Sequence, residues 1–138
     1  MSVFNKFDCF VENVAEKMHN LGADSLKVYL TNTLPVSTNT VYGTPADLAT
    51  AGGYTAGGIA ASITSSAQTT GTYKLVLADV TFTATTGFGP FQYAVLYNDT
   101  ASPKGLIGWW AYPSSVTLLA LEVFTWDADP ATGVLTLA

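Results

Sequence analysis

From residue 59 to the end, the chain alternates with period two. Val80-Thr81-Phe82-Thr83-Ala84 puts apolar side chains on every second position, and 91–97 is a nearly continuous apolar run. Alternation of this kind places one set of side chains on each face of a pleated strand. The runs 59–65, 72–77, 80–84, 91–97, 106–112, 116–126 and 134–137 each read as strand, with 116–126 either one long strand or two. They are punctuated by Thr70-Gly71, Gly87-Phe88-Gly89-Pro90, 98–105, Pro113-Ser114-Ser115 and 127–133, which are turn and loop chemistry. Upstream, 25–31 alternates too, with Leu26, Val28 and Leu30 on one face. About eight short strands without interleaved helices predict a mainly β chain, an antiparallel sandwich or jelly roll. They exclude a parallel α/β sheet.

The first segment has a different period. Phe7, Phe10, Val11, Val14 and Met18 form one helical stripe, and Gly22 stands where a helix would stop. The spacing predicts an N-terminal helix over 1–22, packed on its own sheet or docked into a neighbour. A long polar loop over 32–58 follows, with a helical turn at 44–48 started by Thr44-Pro45 and favoured by Asp47. The glycines of 52–58 lack the following Lys-Ser/Thr of a phosphate loop, and read as a flexible or tightly turning segment. A chain of 138 residues is one domain, 1–138, by length.

Charge narrows the function. Charged residues are 11% of the chain, against about a quarter in typical globular domains. The place of charge is taken by Thr, Ser, Gly and Asn, a surface poor at self-repulsion and suited to assembly. The net charge is -5, and the five basic residues are all lysines: Lys6, Lys17, Lys27, Lys74 and Lys104. An acidic chain without arginine is a poor partner for nucleic acid, where phosphate contacts dominate affinity. The start of the chain has no continuous apolar core of a signal peptide, and no stretch reaches the length needed to cross a bilayer. The expectation is a protein made in a cytoplasm, with no membrane partner.

Catalytic constellations are sparse. His19 and Cys9 are the only residues of their types, so no intrachain disulfide and no cysteine zinc site can form. On a continuous helix they would stand about 15 Å apart, beyond any hydrogen bond. Glu12 and Glu16 sit one turn apart on a solvated helix face. Asp127 and Asp129 resemble the start of a calcium loop, but Pro130 and the lack of a later bidentate Glu break that pattern. Asn98-Asp99-Thr100 matches a glycosylation sequon without a secretory context. We therefore expect no enzyme, no cofactor and no bound metal. The aromatic cluster is the informative feature. Consecutive Trp109 and Trp110 must point to opposite sheet faces. The outward one is either covered by the N-terminal helix or the 32–58 loop, or it meets a protein partner; a sugar-stacking platform is a further reading. Phe7, Phe10, Val14, Trp109, Trp110 and Tyr112 are the candidate interface.

Several strings carry a resemblance: Phe10-Val11-Glu12, His19-Asn20-Leu21-Gly22, Leu26-Lys27-Val28-Tyr29-Leu30-Thr31-Asn32-Thr33, Gly53-Tyr54-Thr55-Ala56-Gly57-Gly58, Gly71-Thr72-Tyr73-Lys74-Leu75-Val76, Gly89-Pro90-Phe91-Gln92-Tyr93-Ala94-Val95-Leu96-Tyr97-Asn98-Asp99-Thr100 and Leu106-Ile107-Gly108-Trp109-Trp110. Together, over nearly the whole chain, they resemble small proteins of the virion-structure region of tailed bacteriophages and prophages. The resemblance implies a capsid decoration or cement protein, a small β-sandwich or jelly roll sitting as a dimer or trimer on the shell. Its partner would be the major capsid protein and its location the virion surface. The alternative is a head-fibre or tail-associated adhesion module that binds host glycan. The resemblance brings no catalytic motif.

Overall fold

The computed structural model describes residues 3–138. The chain is mainly β, with one short helix. In order it forms β1 (Asn5–Lys6), α1 (Cys9–Ala15), β2 (Leu26–Thr31), β3 (Ile59–Ala61), β4 (Ile63–Thr69), β5 (Thr72–Leu77), β6 (Val80–Thr83), β7 (Gly87–Asn98), β8 (Leu106–Leu119), β9 (Val123–Trp126) and β10 (Leu135–Leu137). All pairings are antiparallel. A five-stranded sheet has the order β1-β8-β7-β2-β3, a three-stranded sheet β10-β5-β4, and a two-stranded sheet β6-β9. The apolar run of β7 lies at the centre of the large sheet, as a strand buried on both faces should.

Two cores cover the two faces of that sheet. Leu26, Val28, Leu30, Ala94, Leu96 and Trp110 face the smaller sheets, where Leu75, Leu77, Val80, Phe82 and Trp126 meet them. On the other face Tyr29, Val95, Tyr97 and Leu106 are closed in by Phe7, with Cys9, Tyr42 and Trp109 packed alongside. The alternation read from the sequence is therefore real, but both sets of side chains are covered.

The N-terminal helix is shorter than 1–22. Residues 1 and 2 of that expected span lie outside the described residues. Asn5 and Lys6 pair with Trp109 and Gly108, and the Phe7 amide donates to the Ile107 carbonyl at 3.2 Å, so the chain enters as an edge strand. Gly108 makes this possible: a Cβ there would stand 2.1 Å from the Phe4 ring and 2.8 Å from the Asn5 carbonyl oxygen. The helix stops at Ala15, well before Gly22. Lys17 takes the left-handed conformation (φ 67°), its amide donates to Val14 O, and the Met18 amide donates to Asn13 O at 2.8 Å. These are the two bonds of a Schellman cap, with lysine where glycine is usual. Val11, expected on the buried stripe, is exposed.

Two other boundaries differ from expectation. Pro90 and Pro113, read as breaks, lie inside β7 and β8. The register between these strands shifts between Phe88 and Phe91 and again between Phe91 and Tyr93, so both prolines sit where the ladder is already interrupted. The helical turn expected at 44–48 is irregular chain, because Asp47 is used elsewhere.

The 32–58 connection lacks strands and helices but is not loose. Gly58, at φ 77°, lies backbone to backbone on β2, and a Cβ there would fall 1.8 Å from the Val28 carbonyl oxygen. Only glycine fits both the angle and the approach. Of the two readings of 52–58, the tight turn is the one realised.

Candidate interaction surfaces

The expected interface residues divide by burial. Phe7 (0% exposed), Phe10 (1%) and Trp110 (4%) are core residues of the single chain, which corrects their reading as partner contacts. Burial against their own chain leaves them no area to offer. Trp110 packs edge-on against Trp126, ring centroids 4.9 Å apart, and tilts against Phe4. Trp109 points to the opposite face, 4.6 Å from Phe7. The covering of Trp109 is thus supplied by the N-terminal segment at Phe7. Val14, Trp109 and Tyr112 keep partial exposure.

Open surface is apolar at a place the expected interface did not include. β8 ends and β9 begins around a turn at 119–123. Leu119, Leu121 and Val123 are 66%, 80% and 54% exposed. The turn is fixed at several points. The Glu122 carboxylate accepts from the Leu119 amide at 2.7 Å, and the Glu122 amide donates back to Leu119 O at 3.1 Å. Leu121 donates to Ala84 O, and Ala84 donates to Glu122 O at 2.9 Å. Leu121 is held at φ 69°, a conformation that costs a β- or γ-branched residue energy and persists only when its surroundings impose it. The result is a rigid apolar tip facing solvent.

A second feature is an open hollow of about 610 Å³ lined by Asn5, Trp110, Ala111, Tyr112, Thr125 and Asp127, among others. It lies where β1 no longer covers the edge of β8. The Tyr112 ring contacts Phe124 edge-on, 5.2 Å between centroids.

The polar residues singled out in the sequence serve architecture. His19, expected as a polar helix-end residue, is buried beyond the helix. Its Nδ1 accepts from Asn98 Nδ2 at 3.0 Å, so the proton sits on Nε2. Asn98 Nδ2 also donates to Asp24 Oδ2 at 2.7 Å, while its Oδ1 accepts from the amides of Thr100 and Ala101. Asn98 is fully buried, so the sequon is closed to modification in the folded chain. Burial depresses the His19 pKa, partly opposed by the Asp24 charge. The helix is not continuous between Cys9 and His19, so the distance argument does not apply as framed. The two have separate partners: Cys9 Sγ lies 3.7 Å from Leu106 O, and burial raises its pKa.

Asp47 holds a second hub. It accepts from the hydroxyls of Tyr42 (2.5 Å) and Tyr54, and from the Gly57 amide at 2.5 Å. Tyr54 accepts from the Leu30 amide and Tyr97 donates to Gly57 O, so the loop is laced to β2 and β7. Burial raises the pKa of Tyr29, Tyr42, Tyr54 and Tyr97, and Asp47 adds to the rise in each. Asp127 and Asp129 are turn residues: Asp127 Oδ1 accepts from the Asp129 amide, and Asp129 accepts from the Thr132 hydroxyl. Among the described residues no group of three or more His, Cys, Asp or Glu is placed to hold a metal ion. No described helix is long and apolar enough to cross a membrane.

The apolar tip escaped sequence reading because 116–126 is apolar at odd and even positions alike, which hides which set faces out. The hubs escaped because His19 and Asp24 lie 79 and 74 positions from Asn98. No protein family, curated protein or solved structure matches the chain.

Proposed function

We propose that this chain is a structural protein of a tailed-phage virion, a decoration or cement protein that binds the major capsid protein on the head surface. The observation that carries the reading is the tip at Leu119, Leu121 and Val123: exposed apolar side chains on a turn held rigid at a cost in backbone energy. Such a surface gains by being covered and has no use in an isolated soluble chain. The low charge and the hydroxyl-rich exterior support the same role, and so does the resemblance of the quoted strings. A cement subunit bridges neighbouring capsid subunits by buried area alone. It needs no turnover, nucleic acid or cofactor, and it acts as a homo-oligomer.

The test is localisation in purified particles. The chain should co-sediment with heads and saturate at a fixed ratio to the major capsid protein. Absence from particles, or restriction to tails, contradicts the reading.

One observation favours a second reading, an adhesion module for host glycan. The hollow beside Trp110 and Tyr112 carries Asn5 and Asp127 on its rim, which suits a sugar ring stacked on an aromatic face with hydroxyls bonded at the side. Glycan-array binding lost in Tyr112→Ala and Asp127→Ala would establish it. A dark array with head co-sedimentation would exclude it.

A further inference from the structure

We propose that β4 is a self-association edge, through which two copies of this chain join antiparallel about a two-fold axis at Ala67. β4 is the outermost strand of its sheet, paired only with β5. Every residue from Thr64 to Thr69 is exposed, with the turn at Gly22 near the Ser66 side chain on one face. The register sets which backbone groups are free. Thr69 and Thr72 flank the two-residue turn Thr70-Gly71, so they and the pair Ala67–Lys74 face each other across the hairpin. By alternation the N–H and C=O of Ser66 and Gln68 point outward. By the same register they do not bond to β5, and none takes part in a backbone hydrogen bond outside the ladders among the described residues.

Edge strands are normally protected by lysine, proline, an inward charge or a cover. β4 has no lysine or proline, and 48–73 contains no charged residue at all. Its one irregularity is a register shift at the start, between Ile63 and Ser65. On a chain of net charge -5, an uncharged face is where two copies can meet without repulsion.

The sequence selects a second copy over another strand as the occupant. Thr64-Ser65-Ser66-Ala67-Gln68-Thr69-Thr70 is nearly symmetric about Ala67. An antiparallel pair centred there sets Ser66 against Gln68 of the other copy, with each pair exchanging both backbone bonds. Ser65 then meets Thr69, a hydroxyl pair that hydrogen-bonds across strands. Ala67 meets its own equivalent at a non-hydrogen-bonded position, where strands approach most closely and a small side chain is needed. A closed two-fold contact requires a patch complementary to itself, and this segment is one. The product is one continuous sheet, β10-β5-β4 joined to β4-β5-β10.

The inference does not depend on the virion reading, since it concerns the chain alone in solution. Sedimentation velocity of the full chain over a concentration series tests it, with the expected mass twice the 14.5 kDa of one copy. Ala67→Glu places a carboxylate beside Lys74 in its own hairpin but opposes two like charges at the axis. It should weaken the dimer at least about tenfold while circular dichroism stays unchanged. Ala67→Cys in a Cys9→Ser background should cross-link into dimers on mild oxidation. A monomer at all concentrations overturns the proposal, and so does a dimer indifferent to Ala67→Glu. Should Ala67→Glu fail to fold, failure of Ala67→Cys to cross-link overturns it as well.

Discussion

Asp47 shows how much of this chain depends on single polar side chains. Its carboxylate receives two tyrosine hydroxyls and a backbone amide from within the 32–58 loop, and Tyr54 and Gly57 in turn bond to Leu30 on β2 and Tyr97 on β7. Hydrogen bonds to a charged acceptor are the strong ones, and removing the acceptor leaves partly buried donors unpaired. Asp47→Ala should lower unfolding free energy by about 2–4 kcal/mol in chemical denaturation. A loss within experimental error would show that water replaces the carboxylate. His19 gives the chain a pH dependence whose sign follows from its burial. Its folded pKa lies below the unfolded value of about 6.5, so its contribution is fully present above that pH and is lost as pH falls toward the folded pKa. Protonating Nδ1 also removes the acceptor used by Asn98. Stability should therefore decline from about pH 6.5 downward by up to about 1 kcal/mol per pH unit, and His19→Gln should flatten that step. An equal slope in both proteins would assign the effect to other groups. Asp99 acts lower down: Lys104 and Lys27 depress its pKa, so its contribution fades only below the ordinary carboxylate range.

At the scale of elements, the strands were legible and their outer context was not. Period-two alternation marks 80–84 and 91–97 as strands whatever surrounds them, because the pleat alone sets which side chains share a face. The N-terminal helix was over-read because Phe7, Phe10 and Val14 satisfy helical spacing equally well as the end of an edge strand followed by two turns of helix. The competitor was Gly108, whose missing side chain admits β1 and which lies 102 positions from its β1 partner Lys6. Gly108→Ala should displace β1, with about 2–3 kcal/mol lost and faster hydrogen exchange at the Phe7 amide, which donates to Ile107 O. Unchanged exchange would mean that Phe4 alone moves aside. Pro90 and Pro113 misled for a related reason: a proline forbids a ladder bond, but prolines placed at register shifts of the same hairpin cost the ladder little. Of the six residues read as a candidate interface, Phe7, Phe10 and Trp110 lie in the core and Val14, Trp109 and Tyr112 keep partial exposure. Aromatic content pointed to Trp109, Trp110 and Tyr112, yet size and apolarity mark a core residue as readily as an exposed anchor. The tip was not legible, because exposure of Leu121 is decided by Ala84 and Glu122, which fix its turn.

For the whole molecule, two surfaces on an acidic chain account for the proposed role: a rigid apolar tip and an uncharged, self-complementary strand edge. The tip predicts that Leu121→Asp leaves the fold intact, since the side chain meets solvent, while affinity for heads falls at least about tenfold. Binding unchanged by that substitution would move the contact to another surface. The central claim is a place on the capsid, and the most direct measurement is quantitative mass spectrometry of purified virions separated into heads and tails. The account predicts the chain in the head fraction, in a fixed ratio to the major capsid protein, with heads lacking it releasing their DNA at lower temperature. Its absence from the particles, or its confinement to the tail fraction, would contradict the account.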